Sequence, residues 1–232
     1  MKTLFILIFV FCFASAQSQT VLLDVDRKQE QRRPESGPNT KTFSHAFFRF
    51  GAVASGDFEG ARIAYGSSLN LAVGARKKYK ITRAISAGYD LEINYTDYKL
   101  LQRKGKILPD TILFNKSERL DFAGPGLGFF TRINFDPQRG NTLGGYLDIG
   151  IVGLWNASIK RITKNKLPDG TLVKTVIKNL TYVNDIDAKL IARIGKNHFS
   201  LYASYRLTEY FKPSFNYPDL PRVVIGIEAA AF

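Results

Sequence analysis

Residues 85–95 read I-S-A-G-Y-D-L-E-I-N-Y, with a period of two. Ile85, Ala87, Tyr89, Leu91, Ile93 and Tyr95 take the odd positions; Ser86, Gly88, Asp90, Glu92 and Asn94 take the even ones. An extended chain turns successive side chains to opposite faces. As a strand, the segment has one wholly apolar face and one small, polar or acidic face. A helix would scatter Asp90 and Glu92 among the apolar residues. About eleven residues is also what a tilted strand needs to cross a bilayer core. A soluble sheet alternates in the same way, so two questions decide the fold: whether the rest of the chain repeats the pattern, and which face points inward.

The N-terminus bears on the second question. Lys2 precedes an apolar run over residues 4–14, too short to span a bilayer comfortably, and Ala14-Ser15-Ala16 fits the small-x-small cleavage pattern. We therefore expect a signal peptide over residues 1–16. Its Cys12 is the only cysteine, and Phe11 stands where a lipoprotein signal wants a small residue, so no lipid anchor is expected. A mature chain without cysteine has no disulfide, thiolate zinc site or cysteine nucleophile. About 216 residues remain, with 32 basic and 20 acidic side chains. That is enough for one sizeable domain.

Residues 17–42 are polar and basic without periodicity, and read as a flexible periplasmic lead. Alternation then recurs. Strands are expected at residues 43–55, 61–76, 85–95 with an extension at both ends, 118–136, 143–159, 180–194, 199–208 and 222–232, with a bulge at Gly124-Pro125-Gly126, where the apolar parity changes from Leu120 and Phe122 to Leu127 and Phe129. Residues 77–80, 136–141 and 195–197 read as short turns, and 101–116, 160–174 and 211–220 as longer loops; the first loop, 55–60, is short. An even strand count with short turns at one end and long loops at the other matches outer-membrane barrels. The fold class expected is all-β: an eight-stranded antiparallel transmembrane β-barrel over residues 43–232.

The polar faces favour the membrane orientation. Their charges are Arg49, Arg62, Arg76, Lys189, Arg193 and Arg206 against Asp90, Glu92, Asp148, Asp185, Asp187 and Glu228. Such a near balance suits a self-neutralised interior, because an unpaired buried charge is costly. Eight strands enclose just enough room for side chains to fill the lumen, so a plugged barrel is expected rather than a diffusion pore. Tyr95, Tyr98, Phe135, Phe199 and Tyr205 are candidates for interfacial girdles.

A signal peptide, eight alternating strands, a terminal A-A-A-F and the closing stretch Y-R-L-T-E-Y-F-K-P-S-F-N-Y-P-D-L-P-R-V-V-I-G-I together resemble the small outer-membrane β-barrel proteins of Gram-negative bacteria, of the "outer membrane β-barrel" domain type. The resemblance covers residues 43–232 and speaks to architecture, not activity. Its members include structural barrels, adhesion or resistance proteins and secretion accessories. One departure stands out. Phe232 shares parity with Glu228 and Arg222, not with the apolar Val223, Ile225 and Ile227, so either a bulge lies in residues 229–231 or Phe232 sits past the last paired residue.

Candidate chemistry is thin. His198-Phe199-Ser200 is similar to the H-x-S pair of outer-membrane lipid A deacylases, but it sits at a turn with no acid at a convincing spacing. The acid pairs Asp90/Glu92 and Asp185/Asp187 read as lumen charges rather than acid–base catalysts, and Gly124-Pro125-Gly126-Leu127-Gly128 lacks the lysine and helix of a phosphate loop. No catalytic residue, cofactor or metal is expected. The most functional-looking feature is cationic: Lys99, Arg103, Lys104 and Lys106 in one loop, Lys160, Arg161, Lys164 and Lys166 in another. Outside an outer membrane these meet anionic lipopolysaccharide or an envelope protein partner; nucleic acid is not expected of an exported chain. The function expected is a structural or interaction role through basic extracellular loops. The alternatives are a lipid-modifying enzyme or an accessory of a secretion system.

Overall fold

The computed structural model describes residues 37–55, 60–114, 116–138 and 140–232. The expected signal peptide, Cys12 and most of the expected lead lie outside the described residues. Ten strands follow one another: β1 (Thr42–Ser55), β2 (Leu69–Lys80), β3 (Ile85–Leu100), β4 (Ser117–Asn134), β5 (Gly145–Trp155), β6 (Ser158–Lys166), β7 (Leu172–Lys178), β8 (Ile186–Lys196), β9 (Phe199–Arg206) and β10 (Val223–Ala231). Eight of them close a ring of antiparallel ladders, β1–β2–β3–β4–β5–β8–β9–β10 and back to β1. Closure leaves the ring without an edge.

The opening alternation sets the hand of the faces. On β3, Leu91 and Ile93 stand outward and exposed, while Asp90, Glu92 and Asn94 are buried. Every ring strand repeats this. Val73, Phe129, Ile149, Leu190, Leu201 and Ile227 form part of the same outward apolar belt. Tyr79, Phe135 and Phe199 are exposed at the turn end of the barrel; Trp155 and Tyr205 are exposed toward the loop end. Apolar outside and charged inside, with aromatics at both rims, is the arrangement of a transmembrane barrel. No helix among the described residues is long and apolar enough to cross a membrane, which says nothing of strands.

The β3–β4 register runs unbroken from Ile85↔Ile133 to Leu100↔Glu118, so the bulge expected in β4 is absent. The extra residue lies in the facing strand. Gly126 pairs with Leu154 but Ala123 with Ser158, which leaves three residues (155–157) opposite two (124–125). Pro125 has no N–H to give, and the ladder lapses beside it. Parity therefore switches between β5 and β6, and Ile159, expected outward with Trp155, is buried inside. Leu120 and Phe122 keep the inward parity of β4. They changed the apolar pattern because the lumen itself turns apolar there.

Other boundaries move as well. Residues 61–68 are not strand, and the first loop extends to residue 68, tied down by an Ile63↔Leu100 bridge. The expected turn at residues 77–80 is the end of β2, with Lys78 buried and its Nζ donating to the Pro38 carbonyl. Residues 180–185 precede β8 rather than belonging to it. β6 and β7 form a hairpin standing beyond the ring, closed by Pro168-Asp169-Gly170 with Gly170 at φ 88°. Sequence periodicity missed β7 because all seven of its residues are exposed and its apolar residues, Leu172, Val173, Val176 and Ile177, fall on both faces. The β1–β10 register is continuous from Ala46↔Ala231 to Val53↔Val224, so no bulge precedes Phe232. Its ring lies past the last pair, stacked on His198 at 4.2 Å and edge-on to Phe43 at 5.2 Å.

Ile149→Lys puts a charge in the middle of the outward belt. It is expected to cost about 2–4 kcal/mol in lipid vesicles. Val176→Lys, on the exposed hairpin, is expected to cost under about 0.5 kcal/mol. Urea titration of the protein in vesicles checks both.

Candidate functional site

The lumen has three layers. At the turn end, Phe43, Leu143 and Tyr146 pack together, with His45 beside Phe43 and Phe232. At the loop end, inward residues of the strands meet residues of the loops in one apolar plug that includes Ile63, Leu108, Leu120, Phe122, Tyr210 and Leu220. Phe122 stacks on Tyr210 at 4.2 Å. This plug was not anticipated; the interior was expected to be polar throughout.

Between them lies a lattice of four arginines and four carboxylates. Register alone brings most pairs together. Arg76 is directly opposite Asp90, Arg49 opposite Glu228, and Asp148 lies between Arg132 and Arg193. Arg76 donates through Nε and Nη2 to both Asp90 oxygens (2.8 and 3.1 Å), and through Nη1 and Nη2 to Glu228 (2.6 and 3.0 Å). Arg49 bridges Glu228 at 3.1 Å and Glu92 at 2.5 Å. Arg132 grips Asp148 at 2.6 and 2.8 Å. Arg193 ties the two sides, reaching Asp90 at 2.5 Å, Asp148 at 3.3 Å and Glu228 at 3.5 Å. Arg is suited to this role because its planar fork binds carboxylates bidentately. Aromatic faces fill the gaps: Phe47 lies 4.7 Å from Arg76, and Tyr146 lies 3.8 Å from Arg132. A cavity of ≈ 10 Å³ beside Arg49, Glu92 and Lys189 is about the size of one water.

Of the twelve charges expected inside, seven lie in this lattice: Arg49, Arg76, Asp90, Glu92, Asp148, Arg193 and Glu228. Asp187, Lys189 and Arg206 are buried nearer the loop end. Arg206 donates to the carbonyls of Thr208 (2.5 Å) and Leu220 (2.7 Å), pairs with Asp219 at 3.1 Å, and stacks 3.8 Å from Tyr210, so it straps the last loop over the mouth. Arg62 and Asp185 are corrections: both are exposed, because the segments that carry them are loop rather than strand. Arg132 was missed. Its signal was present, since it alternates with Phe129, Ile133 and Phe135. Tyr98, expected in a girdle, shares the inward parity and is buried.

The basic loops divide. Lys106 and Arg161 are not free cations: buried Glu118 accepts from Lys106 Nζ at 2.5 Å and Arg161 Nε at 2.7 Å, and Asp110 takes Arg161 at 2.6 Å. They fasten the β3–β4 loop to β6. Arg103, Lys104 and Lys166 are exposed; Lys99, Lys160 and Lys164 are half-buried on the outward face. On that face Lys160 is directly opposite Lys178, and Lys164 opposite Lys174. Arg119 is placed between Asp97 and Asp121 at 3.3 Å from each, and Asp121 faces Lys160. The rung across from Lys164 on β4 is Ser117, and the nearest carboxylates on this face are those of Asp97 and Asp121. At the outer tip, Tyr182 packs with Phe211, Phe215 and Tyr217, and burial pushes its phenol up to about 12.

His198 Nδ1 lies 3.1 Å from the Ala230 carbonyl, with its ring on Phe232, whereas Ser200 is buried in the lumen. Among the described residues no group of three or more His, Cys, Asp or Glu side chains is placed to share a metal ion.

No family model and no curated protein matches the sequence. Among solved structures, the crystal structure of the N-terminal β-barrel domain of Pseudomonas aeruginosa OprF is similar, at 12% identity and a TM-score of 0.26, covering 84% of this chain and 100% of that one. A TM-score that low carries no weight for the fold, which stands on the closed ladders and the facing of the side chains.

Removing one member of a buried ionic network strands its partners. Arg193→Met leaves Asp90, Asp148 and Glu228 short of a donor, and is expected to cost about 3–5 kcal/mol of barrel stability. Arg103→Met, exposed in its loop, is expected to change stability by less than about 0.5 kcal/mol. Denaturant titration of the folded barrel in micelles measures both.

Proposed function

We propose that this chain is an outer-membrane barrel closed to diffusion, with a structural and interaction role, whose lateral lysine face binds anionic lipid head groups of the outer leaflet. The observation that carries this reading is the pair of facing lysines, Lys164 and Lys174, on the outward face of the β6–β7 hairpin. Like charges directly opposite each other on a ladder destabilise it. Here the pair has the same outward parity as the apolar belt and stands nine residues past Trp155, on the part of the hairpin that extends beyond the ring. Lys178 and half-buried Lys160 and Lys99 extend the face. Phosphate groups of lipopolysaccharide offer the missing negative charge, and each lysine near such a surface contributes about 1 kcal/mol. The filled lumen supports the closed, non-transporting part of the reading.

The double variant Lys164→Gln/Lys174→Gln is expected to weaken binding of phosphorylated lipid A roughly thirtyfold. The wild-type affinity should fall steeply with salt. Arg103→Gln/Lys104→Gln, altered in the loop tip, is expected to bind almost as well as wild type. Titration in micelles followed by native mass spectrometry measures all three; equal affinity in the Lys164/Lys174 variant contradicts the reading.

A further inference from the structure

A cavity of ≈ 280 Å³ opens at the loop end, where the β5–β6 bulge meets the segment leading into β8. Asn156, Ile159, Asn179, Thr181, Asp185 and Lys212 are among its lining residues. Its walls are fixed by hydrogen bonds. The Asn156 backbone N–H donates to the Asp185 carbonyl at 2.7 Å, the Lys212 N–H to the Tyr182 carbonyl at 3.0 Å, and Lys212 Nζ to the Thr181 carbonyl at 2.7 Å. Asn179 turns the chain in the left-handed region at φ 56°. Asn156 is 7 % exposed, yet its Nδ2 donates to no acceptor among the described residues. A buried amide without an acceptor is a cost to the fold, and one that lines a cavity is placed to serve a ligand.

We propose that this cavity binds a single sugar residue through its hydroxyl groups. A sugar hydroxyl both donates and accepts, and the cavity offers both functions: Asn156 Nδ2 and Lys212 Nζ give, and the Asp185 carboxylate takes. Lys212 and Asp185 offset each other, so the cavity has no net charge to select an anion. A divalent cation finds one carboxylate where it needs several. The volume lies at the small end of ligand pockets, which suits one ring and not a chain. The bulge has a role in this arrangement. The extra residue opposite Gly124-Pro125 breaks the ladder at Asn156, whose backbone N–H turns to the Asp185 carbonyl while its side chain lines the cavity.

The inference does not depend on the lysine face, and its test uses sugars without lipid. The full chain, folded in a detergent that contains no sugar, is titrated with free hexoses and with dephosphorylated core oligosaccharide, whose terminal sugar residue alone would enter the cavity, and binding is read by saturation-transfer NMR. Wild type is expected to bind in the millimolar range or tighter. Asn156→Leu and Asp185→Asn are each expected to weaken binding about tenfold, as for one good hydrogen bond. Arg103→Gln/Lys104→Gln, exposed in a loop that does not line the cavity, leaves it unchanged. Tighter binding of the core oligosaccharide than of hexoses identifies the envelope glycan as the source; equal binding identifies a free sugar. No transfer to any saccharide overturns the proposal. So does unchanged affinity in Asp185→Asn, an exposed position whose substitution leaves the barrel fold intact.

Discussion

A charge inside a barrel this narrow has no bulk water to turn to, and the whole interior is arranged around that constraint. Four arginines and four carboxylates occupy the middle of the lumen, and each carboxylate touches at least one guanidinium. The pairing is written into the ladders: Arg76–Asp90, Arg49–Glu228 and Arg132–Asp148–Arg193 are rungs of the sheet. A slip of one residue in any of these strands would turn its charges into the surroundings and its apolar residues into the lumen. The lattice therefore fixes register as much as it contributes stability. Buried ion pairs on their own are weak evidence for stability, because desolvation offsets most of the Coulombic gain.

The two end layers follow from what the lattice leaves open. Toward the turns, Phe43, Tyr146, His45 and Phe232 close the mouth with rings. Toward the loops, the inward positions become apolar and the loops fold down onto them. Arg206 straps the last loop, and Glu118 gathers Lys106 and Arg161 into a knot that fixes the β3–β4 loop. With the lumen filled from end to end, chemistry with the surroundings is left to the outer surfaces. The lysine face and the cavity at the bulge are where that surface departs most from a plain barrel.

How much of this the sequence disclosed varies by element. The alternation in residues 85–95 was enough to orient β3, and the same period detected each ring strand though not always its bounds, because each has one face against the lumen and one in the belt. It misplaced β2, since Ile63 and Tyr65 mimic strand parity inside a loop. It put the bulge on the wrong strand: a change in what the lumen contains, from charge to Phe122 and Leu120, looks the same in a sequence as a change of parity. The hairpin strand β7 was invisible because solvent on both faces imposes no period. The lattice charges were legible wherever alternation was clean, and Arg62 and Asp185 were misread because they lie ahead of β2 and β8, where the strand has not yet begun. The cavity at the bulge was not legible at all, because its lining residues come from three separated segments brought together there.

The central claim is that apolar side chains face lipid and charged ones face inward, and the chain carries its own reporter. Trp155 is the only tryptophan; it is 59 % exposed and stands on the outward face at the loop end of the belt. The decisive measurement is its fluorescence in vesicles containing lipids brominated near the head-group end of the acyl chain. The account predicts strong quenching by the brominated lipid and weak quenching by aqueous iodide. Strong iodide quenching with no response to brominated lipid would contradict it, and would place the belt in water.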